Sequence, residues 1–218
     1  MKKRNNIITV AIDSPAAAGA GTQSKLIAKH YNLFYLDTGK IYRYIGKLKL
    51  DNPKKFSYSL IKRKINNLKI NSLQNKNLLS DKIAVSASII AKDKKIRNIV
   101  HKFQQKCAYS PPLKYAGSIL DGRDIITVQV KDAMFKFFIT ASLKVRAKRR
   151  YDELKNLNKK ITLNEVLKSV KNRDKSYRER KHGPLKKTKD SILINTTKLS
   201  KKACFMKIKD IMDRKLKA

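Results

Sequence analysis

Short apolar runs alternate along the chain with longer segments in which apolar residues recur every three or four positions. Several of the short runs are rich in β-branched or aromatic residues, which predicts buried strands at residues 7–12, 33–36, 118–120, 135–140 and 191–195. The longer segments predict helices at residues 22–31, 38–50, 82–108, 143–158, 163–173 and 201–215. Strands that alternate with helices favour an α/β fold, in which helices flank a parallel sheet.

Two segments interrupt this alternation. Residues 51–80 are rich in Asn, Ser and Lys and have weak periodicity, which predicts a small insertion off the sheet, built as a ragged hairpin. Residues 146–182 are dense in charge and poor in large apolar residues, which predicts a helical, solvent-facing and mobile segment. A chain of 218 residues can bury one substantial core, so we expect residues 1–218 to form a single domain.

The net charge is extreme, because 53 Lys and Arg residues face only 16 Asp and Glu residues, giving +37. Such a charge favours polyanionic partners. An equally simple explanation is the codon bias of an AT-rich genome, since Lys, Asn and Ile are abundant together. No apolar run is long enough to span a membrane, and no signal-peptide pattern is present, so we expect a cytoplasmic protein. Cys107 and Cys204 lack metal-site spacing and are predicted to be free thiols.

The segment after the first predicted strand has the features of a phosphate-binding loop. Gly19 and Gly21 allow backbone N–H groups to converge on an anion at a helix N-terminus. Thr22 occupies the position whose hydroxyl usually binds Mg²⁺. Ala20 stands where such loops carry lysine, so an Ala- and Gly-rich tight turn is the alternative interpretation. The residues of this loop are Ser14, Pro15, Ala16, Ala17, Ala18, Gly19, Ala20, Gly21 and Thr22.

Two further loops follow predicted strands and carry charge. Asp37 and Thr38 can cap the helix that follows them, and Arg43 lies one turn further on, where it suits a bidentate phosphate contact. The turn of residues 121–124, Asp-Gly-Arg-Asp, places two carboxylates and an arginine at a strand end. Asp121 suits a Mg²⁺ water shell and Arg123 a phosphate.

Arginines gather in the charged segment of residues 146–182. Arg146, Arg149 and Arg150 share one helical face, and Arg173 and Arg180, seven residues apart, share another. A charged run is usually a solvated helix face. Phosphoryl transfer, however, needs cations around the transferred group, and a lid is a common way to deliver them.

Taken in this order, the motifs resemble bacterial cytidylate kinases, which are nucleoside monophosphate kinases of the P-loop class. Residues 13–22 correspond to the family's Gly-Pro-Ser-Gly-x-Gly-Lys-Gly-Thr loop, and they share its proline, its last two glycines and its threonine. Residues 36–43 match Leu-Asp-[Ser/Thr]-Gly-x-x-Tyr-Arg, and residues 121–124 match Asp-Gly-Arg-Asp without change. Residues 146–150 match Arg-Ala-x-Arg-Arg, and the family's Arg-Asp…Arg lid pattern falls on Arg173, Asp174 and Arg180.

The resemblance implies transfer of the ATP γ-phosphoryl group to CMP or dCMP with Mg²⁺, in pyrimidine nucleotide metabolism. It implies a parallel-sheet core with a monophosphate-binding insert at residues 51–80 and an arginine-rich lid at residues 146–182. By position, the first loop with Arg149 and Arg150 faces ATP. The residues implied for the acceptor and the bridging phosphates are Asp37, Thr38, Arg43, Ser88, Arg123, Asp124, Arg173 and Arg180.

Several positions depart from the family pattern. Ser14 replaces the loop's first glycine, Ala20 replaces its lysine, and Tyr177 replaces the central aspartate of the lid. Lys40 stands where the family often has alanine. We expect the first two strands to place both loops around one phosphate, so Lys40 is predicted to supply the missing cation, with Lys25 as the competing donor.

These observations predict a monomeric cytoplasmic cytidylate kinase that acts on small nucleotides, with no specific nucleic acid or membrane partner. Arg123, Arg173, Arg180 and Lys40 are the predicted catalytic cations, and Thr22 and Asp121 the predicted metal ligands. One alternative is a nucleotide-binding protein of the same fold with weak or no kinase activity. The other is a basic nucleic-acid-binding protein, although no RNA-binding motif with paired surface aromatics is present.

Overall fold

All five predicted strands are present in the computed structural model, which describes residues 7–156 and 160–217. The strands form one parallel sheet in the order β2-β3-β1-β4-β5. Helices flank this sheet, so the predicted α/β class is confirmed. The strand bounds are β1 Ile8–Asp13, β2 Leu33–Asp37, β3 Gly117–Gly122, β4 Phe135–Thr140 and β5 Ile192–Asn195.

The helices follow the predicted periodicity, with two differences. The helix predicted over residues 82–108 is two helices, because Asp93 ends the run and caps a new helix by accepting from the Ile96 N–H at 3.0 Å. The helix predicted to end at residue 173 continues to Glu179. Residues 157 and 158, the predicted end of another helix, lie outside the described residues. The helix bounds are α1 Ala20–His30, α2 Thr38–Asp51, α3 Tyr58–Asn66, α4 Asp81–Ile90, α5 Lys94–Tyr109, α6 Leu143–Lys155, α7 Leu163–Glu179 and α8 Lys201–Lys217.

The hairpin predicted within residues 51–80 is wrong. This stretch contains α3 and three short 3-10 turns, and no strand. Ser57 caps α3 by accepting from the Leu60 N–H, and Ile61 and Ile65 lie one turn apart on its buried face. The isoleucine pair is a helical signal that the surrounding polar residues obscured.

Two apolar clusters lie on opposite faces of the sheet, because alternate strand residues point to opposite sides. Ala11 and Leu120 belong to the cluster formed with α2, α3 and α5. Val10 and Ile119 belong to the cluster formed with α1 and α8. Both cysteines are buried and free, as predicted. In the described part of the chain, no helix has the length and apolar character needed to cross a bilayer.

The strand register brings the predicted loops to one edge of the sheet. Asp13 at the end of β1 is level with Gly122 of β3, and Asp37 of β2 is level with Asp121 of β3. β3 lies between β1 and β2, so the loops that follow the first two strands are separated by the end of β3. The three carboxyl ends still meet at one edge, which is where ligands bind in open α/β sheets.

Candidate active site

The first loop leads into the N-terminus of α1, where no side-chain cap is present among the described residues. Ala17 and Gly19 adopt positive φ values of 58° and 92°, which turn the chain sharply between β1 and α1. Helix α1 also has no acidic residue in its first turn. Its N–H groups and the positive end of its dipole are therefore available to an anion.

A buried ion pair from the charged segment holds this loop in place. The Arg146 guanidinium donates to the carbonyl oxygens of Ala141 at 2.8 Å and Ala16 at 3.0 Å. Asp174 accepts from the Ala16 N–H at 3.3 Å and pairs with Arg146 at 2.6 Å. Arg146 and Asp174 are both buried. The predicted solvent-facing segment is therefore anchored to the loop at this point.

Arg149 lies beside the end of the same loop. Its guanidinium donates to the carbonyl oxygen and Oγ1 of Thr196 at 2.8 and 2.9 Å, and the Thr196 hydroxyl donates to the Ala18 carbonyl oxygen at 3.1 Å. Arg149 Nη1 is 3.9 Å from the position a Cβ would take at Gly19. Arg150, on the same helix, pairs with Glu153 at 2.8 Å.

The ends of β2 and β3 place two carboxylates near the start of α1. The Tyr35 hydroxyl donates to Asp121 Oδ2 at 3.1 Å, and the Thr38 hydroxyl donates to the Asp121 carbonyl oxygen at 2.7 Å. Burial, and then the charge of Asp37, raise the pKa of Asp121 to about 8. Asp121 Oδ2 is also 3.4 Å from the Cβ position of Gly21, so this carboxylate adjoins the first loop.

Arg123 and Arg173 converge on Tyr177. Arg173 donates from Nε and Nη2 to the Tyr177 hydroxyl at 3.3 and 3.1 Å. The Arg123 guanidinium lies over the Tyr177 ring, 4.9 Å from its centroid. Burial, and then the charge of Arg173, lower the pKa of Arg43, which shows that Arg43 lies within electrostatic reach of this group.

A second buried network surrounds Asp124. Its carboxylate pairs with Arg97 of α5 and, at 3.3 Å, with Arg180. It also accepts from the Gln129 side-chain amide at 3.0 Å, and Gln129 in turn bonds His101. Two cations therefore share one carboxylate next to the Arg123 turn.

Three buried polar atoms in these networks make no hydrogen bond within the described residues. They are Arg123 Nε, the Tyr42 hydroxyl oxygen and Arg180 Nη2, the last of which still forms the ion pair with Asp124 at 3.3 Å. Buried polar atoms are nearly always paired, and exceptions cluster at functional sites. Two of the three atoms are arginine donors, which suit an anionic ligand.

Comparison with known proteins agrees with this geometry. The family model described as "Cytidylate kinase" matches residues 10–214. The chain belongs to the cytidylate kinase family. It is 40% identical to the cytidylate kinase of Thermosipho melanesiensis, covering 95% of this chain and 94% of that protein. It is 37% identical to the cytidylate kinase of Bartonella henselae and 36% identical to one from Clostridium botulinum, with at least 95% of each chain covered.

Two solved structures share the fold at low sequence identity. An uncharacterised protein from Eubacterium ventriosum has a TM-score of 0.54 and 18% identity, covering 94% of this chain and 98% of that one. A protein from Thermus thermophilus has a TM-score of 0.50 and 12% identity, covering 96% and 98%. These two structures agree with the fold, and the family match with the curated relatives confirms the predicted resemblance to cytidylate kinases.

Other residues predicted from the cytidylate kinase motifs are engaged in local structure. Asp37 caps α2 by accepting from the Lys40 N–H at 3.3 Å. Arg43 donates to the Leu78 carbonyl oxygen at 2.8 Å, and the Ser88 hydroxyl donates to Val85 within α4 at 2.7 Å. Lys40 is half-buried in the first turn of α2, whereas Lys25 is exposed on α1.

The sequence interpretation missed Arg97 and the anchoring role of Asp174. Arg97 stands among lysines in α5, and its sequence surroundings give no motif. Arginine is scarcer than lysine in this chain, and this signal could have pointed to Arg97. The sequence interpretation used it only for the arginines of residues 146–182. Asp174 appeared as part of the Arg-Asp lid pattern, but its contact with the first loop spans 158 residues of sequence.

Asp13, at the end of β1, supports the turn that carries Arg123 and Asp124. Its carboxylate accepts from the N–H groups of Ile125 and Ile126 at 2.8 and 3.0 Å. These amides begin the π-helical turn Ile125–Gln129. Burial raises the pKa of Asp13 to about 7, although the two backbone hydrogen bonds oppose this shift.

We predict a pH-dependent difference in stability between the protein and its Asp13→Asn variant. Because the folded state binds the Asp13 proton more tightly than the unfolded chain, the free energy of unfolding falls relative to the variant as pH rises from about 4 to about 7. Above that window the difference in the free energy of unfolding between the two proteins no longer changes with pH. Its total change across the window amounts to a few kcal/mol, at about 1.4 kcal/mol per pKa unit.

Urea unfolding of both proteins across this pH range measures the effect. Asp210→Asn, at an exposed position on α8, is the matched control and should keep the parent's pH dependence. A constant difference between the parent and Asp13→Asn from acid to neutral pH would contradict the prediction.

Proposed function

We propose that this protein transfers the γ-phosphoryl group of ATP to CMP or dCMP, giving ADP and CDP or dCDP. The observation that carries the proposal is the gathering of Arg123, Arg173 and Arg180 at the carboxyl edge of the sheet, with a buried Nε donor on Arg123 that makes no hydrogen bond within the described residues. Membership of the cytidylate kinase family supports the same reaction. The protein is proposed to act as a cytoplasmic monomer on free nucleotides, without a specific nucleic acid partner.

In this proposal the first loop binds the ATP phosphates. The free amides at the start of α1 face the β- and γ-phosphates, and Arg146 with Asp174 fixes the loop that presents them. Arg149 and Arg150 flank the nucleotide from α6, with Arg149 already beside Gly19.

The acceptor nucleotide is proposed to bind on the β2 and β3 side of the edge. Thr38, Arg43 and Arg123 surround its phosphate, and Asp37 orders the helix turn that presents Thr38 and Arg43. Asp124 holds Arg97 and Arg180 towards the same region. Ser88 is the most remote member of the proposed set, since its hydroxyl is bonded within α4.

The residues present fit Mg²⁺ as a shared ligand of protein and phosphates. Asp121 and Asp37 are level on adjacent strands, and the raised pKa of Asp121 reflects burial and their mutual repulsion, which a divalent cation would relieve. The described residues contain no cluster of three or more His, Cys, Asp or Glu side chains that could hold a metal. Such a sparse set suits Mg²⁺, which is usually bound through one or two carboxylates, substrate phosphates and water. We propose Asp121 and Thr22 as its ligands, with the ion neutralising phosphate charge when bound.

Phosphoryl transfer needs little covalent chemistry from the protein. The acceptor phosphate oxygen attacks the γ-phosphorus in line, and the protein contributes positioning and charge neutralisation. Arg123, Arg173 and Arg180 face the charge on the transferred group. A weakly active protein is the remaining alternative, because one preorganised electrostatic donor is worth about 10²–10³ in rate and Ala20 supplies none.

Lys40 is proposed to supply part of the cation that Ala20 lacks. It lies in the first turn of α2, directly after Asp37, at the edge where the three loops meet. Because β3 separates β2 from β1, Lys40 must reach across the end of β3 towards the phosphates. The role of Lys40 can therefore be tested by removing its side chain.

A coupled ADP-release assay with CMP, dCMP, UMP and AMP tests the reaction. We expect turnover with CMP and dCMP to exceed turnover with the other two acceptors. Lys40→Ala is expected to lower kcat at least about tenfold. Lys25→Ala tests the competing donor, and Lys29→Ala, at an exposed position on α1, is the control. No turnover with any acceptor would reject the kinase proposal, whereas an unchanged kcat in Lys40→Ala would reject only the role of Lys40.

A further inference from the structure

Tyr177 occupies the centre of the arginine group and contacts two cations in different ways. Its hydroxyl oxygen accepts both N–H donors of Arg173, one helical turn away on α7. Its ring lies beneath Arg123, which belongs to the turn after β3. Tyr177 therefore links the charged helix α7 to the sheet edge that carries the proposed acceptor site.

The charged and titratable groups around Tyr177 come from each neighbouring element. Arg123 and Arg173 act on its hydroxyl directly, and Arg43 of α2 lies within electrostatic reach. From α6, Tyr151 packs against the same small apolar cluster, which also contains Ala16 of the first loop. Asp174, the nearby carboxylate on α7, is paired with Arg146. Asp121 and Asp37, at the ends of β3 and β2, lie within electrostatic reach of Arg123. Tyr177 is the group whose side chain contacts both Arg123 and Arg173 directly.

Two departures from the family motif have opposite effects on charge. The motif has a lysine in the first loop and an aspartate at the centre of the lid pattern, whose charges sum to zero. This chain has Ala20 and Tyr177, which also sum to zero while the phenol is protonated. The loop lost a cation, and the arginine group lost an anion that would have neutralised part of it.

We propose that Tyr177 is a positioning residue that holds Arg123 and Arg173 together without neutralising them, so that their full positive charge compensates for the lysine missing at Ala20. The proposal rests on the proposed phosphoryl transfer, because it assigns the two arginines to nucleotide phosphate. Aspartate would hold the same guanidinium groups but would compete with phosphate for them. A neutral phenol holds them through hydrogen bonds and ring contact.

The proposal implies a loss of activity at alkaline pH. Burial raises the pKa of Tyr177, but Arg123 and Arg173 outweigh burial and lower it to about 8. Below that pH the phenol is neutral and the arginines are available to phosphate. Above it the phenolate pairs with them and competes with the substrate.

The pH profile of kcat/KM for CMP tests this role. We expect kcat/KM of the parent to fall about fivefold or more between about pH 7 and pH 9.5, because the phenolate forms in that range. Tyr177→Phe keeps the ring and removes the ionisable hydroxyl, so its profile should lack this fall. An identical alkaline fall in Tyr177→Phe would overturn the proposal.

Variants that place the motif's charged residues at positions 177 and 20 test whether Tyr177 compensates for the missing loop lysine. Tyr177→Asp is expected to lower kcat/KM about tenfold at pH 7, since a fixed carboxylate would pair with the arginines. Adding Ala20→Lys to Tyr177→Asp should restore kcat/KM to within about threefold of the parent, because coupled sites are not additive. Full activity of Tyr177→Asp alone, or no gain from Ala20→Lys in that background, would overturn the proposal.

An ultraviolet titration of phenolate formation gives a readout that does not depend on turnover. The difference between the parent and Tyr177→Phe isolates this one tyrosine. Bound CMP should raise the pKa of Tyr177, because its phosphate neutralises the arginines that lower it. If the parent does not phosphorylate CMP, the proposed function fails and this titration still measures the coupling of Tyr177 to the arginines. If the parent is active and CMP leaves the pKa of Tyr177 unchanged, the present inference alone fails.

Discussion

Replacing Arg146 with methionine is expected to lower the free energy of unfolding by about 3–5 kcal/mol. The substitution leaves the Asp174 carboxylate buried without its cation and removes two hydrogen bonds to backbone carbonyls, one of them on Ala16. Because Ala16 belongs to the first loop, which we propose binds the ATP phosphates, we also expect a higher KM for ATP. Urea unfolding and steady-state kinetics measure the two effects separately.

Two further variants test whether the buried Arg146–Asp174 pair accounts for the loss of stability. Lys148→Met breaks an exposed ion pair with Asp152 on the same helix and should cost no more than about 1 kcal/mol. The double variant Arg146→Met/Asp174→Leu should recover part of the lost stability, since the unpaired charge is gone. It should not recover ATP binding, since the loop has lost both of its anchors. Equal free energies of unfolding for Arg146→Met and Lys148→Met would contradict the stabilising role of the buried Arg146–Asp174 pair.

Replacing Arg123 with glutamine is expected to lower kcat for CMP by about 10²–10³, the usual effect of removing one preorganised electrostatic donor. Arg123 is the cation of the Asp-Gly-Arg-Asp turn, and its buried Nε has no hydrogen-bond partner within the described residues. Glutamine retains a polar, hydrogen-bonding side chain, shorter than that of arginine and without the positive charge. The unfolding transition should change little, so the loss falls on catalysis.

Arg178→Gln is the matched control for Arg123→Gln. Arg178 is exposed on α7, close in sequence to Arg173 and Arg180 but outside the two networks. Its kcat should equal that of the parent. If Arg123→Gln retains kcat within about threefold of the parent, Arg123 does not stabilise the transferring charge as proposed.

The sequence predicted the fold well where each element had a clear period. The five strands are apolar runs that match the buried centre of a parallel sheet, and their order along the chain leads directly to an α/β fold. The break at Ala91–Asp93 was missed because the periodicity continues across it, although Asp93 is a good capping residue. Helix α3 was missed because Ile61 and Ile65 stand among lysines and asparagines.

The candidate site could be predicted only where one loop carried the signal. The Asp-Gly-Arg-Asp turn and the first loop are local motifs, and the structure brings both to the same edge. The pairs Arg146–Asp174 and Arg97–Asp124 join residues distant in sequence, so no local pattern reveals them. The strand order could not be read from the sequence, and it sets the distance that Lys40 has to span, because β3 lies between β1 and β2.

The groups around the first loop bear on the absence of a lysine at Ala20. The first loop still offers the amides of an uncapped helix, and the side chains around it supply arginines from α6, α7 and the turn after β3. In the proposed role of Tyr177, its neutral phenol contacts Arg123 and Arg173 without adding a negative charge to them. Catalysis without the loop lysine is therefore consistent with the charges present.

The central claim is that this chain phosphorylates CMP with arginines in place of the usual loop lysine. Phosphorus NMR of the protein with ATP, Mg²⁺ and CMP tests it most directly, because it detects both products. We predict that CDP and ADP appear in equal amounts with the parent and about 10²–10³ more slowly with Arg123→Gln. ATP and CMP that both bind, yet give no CDP, would contradict the claim.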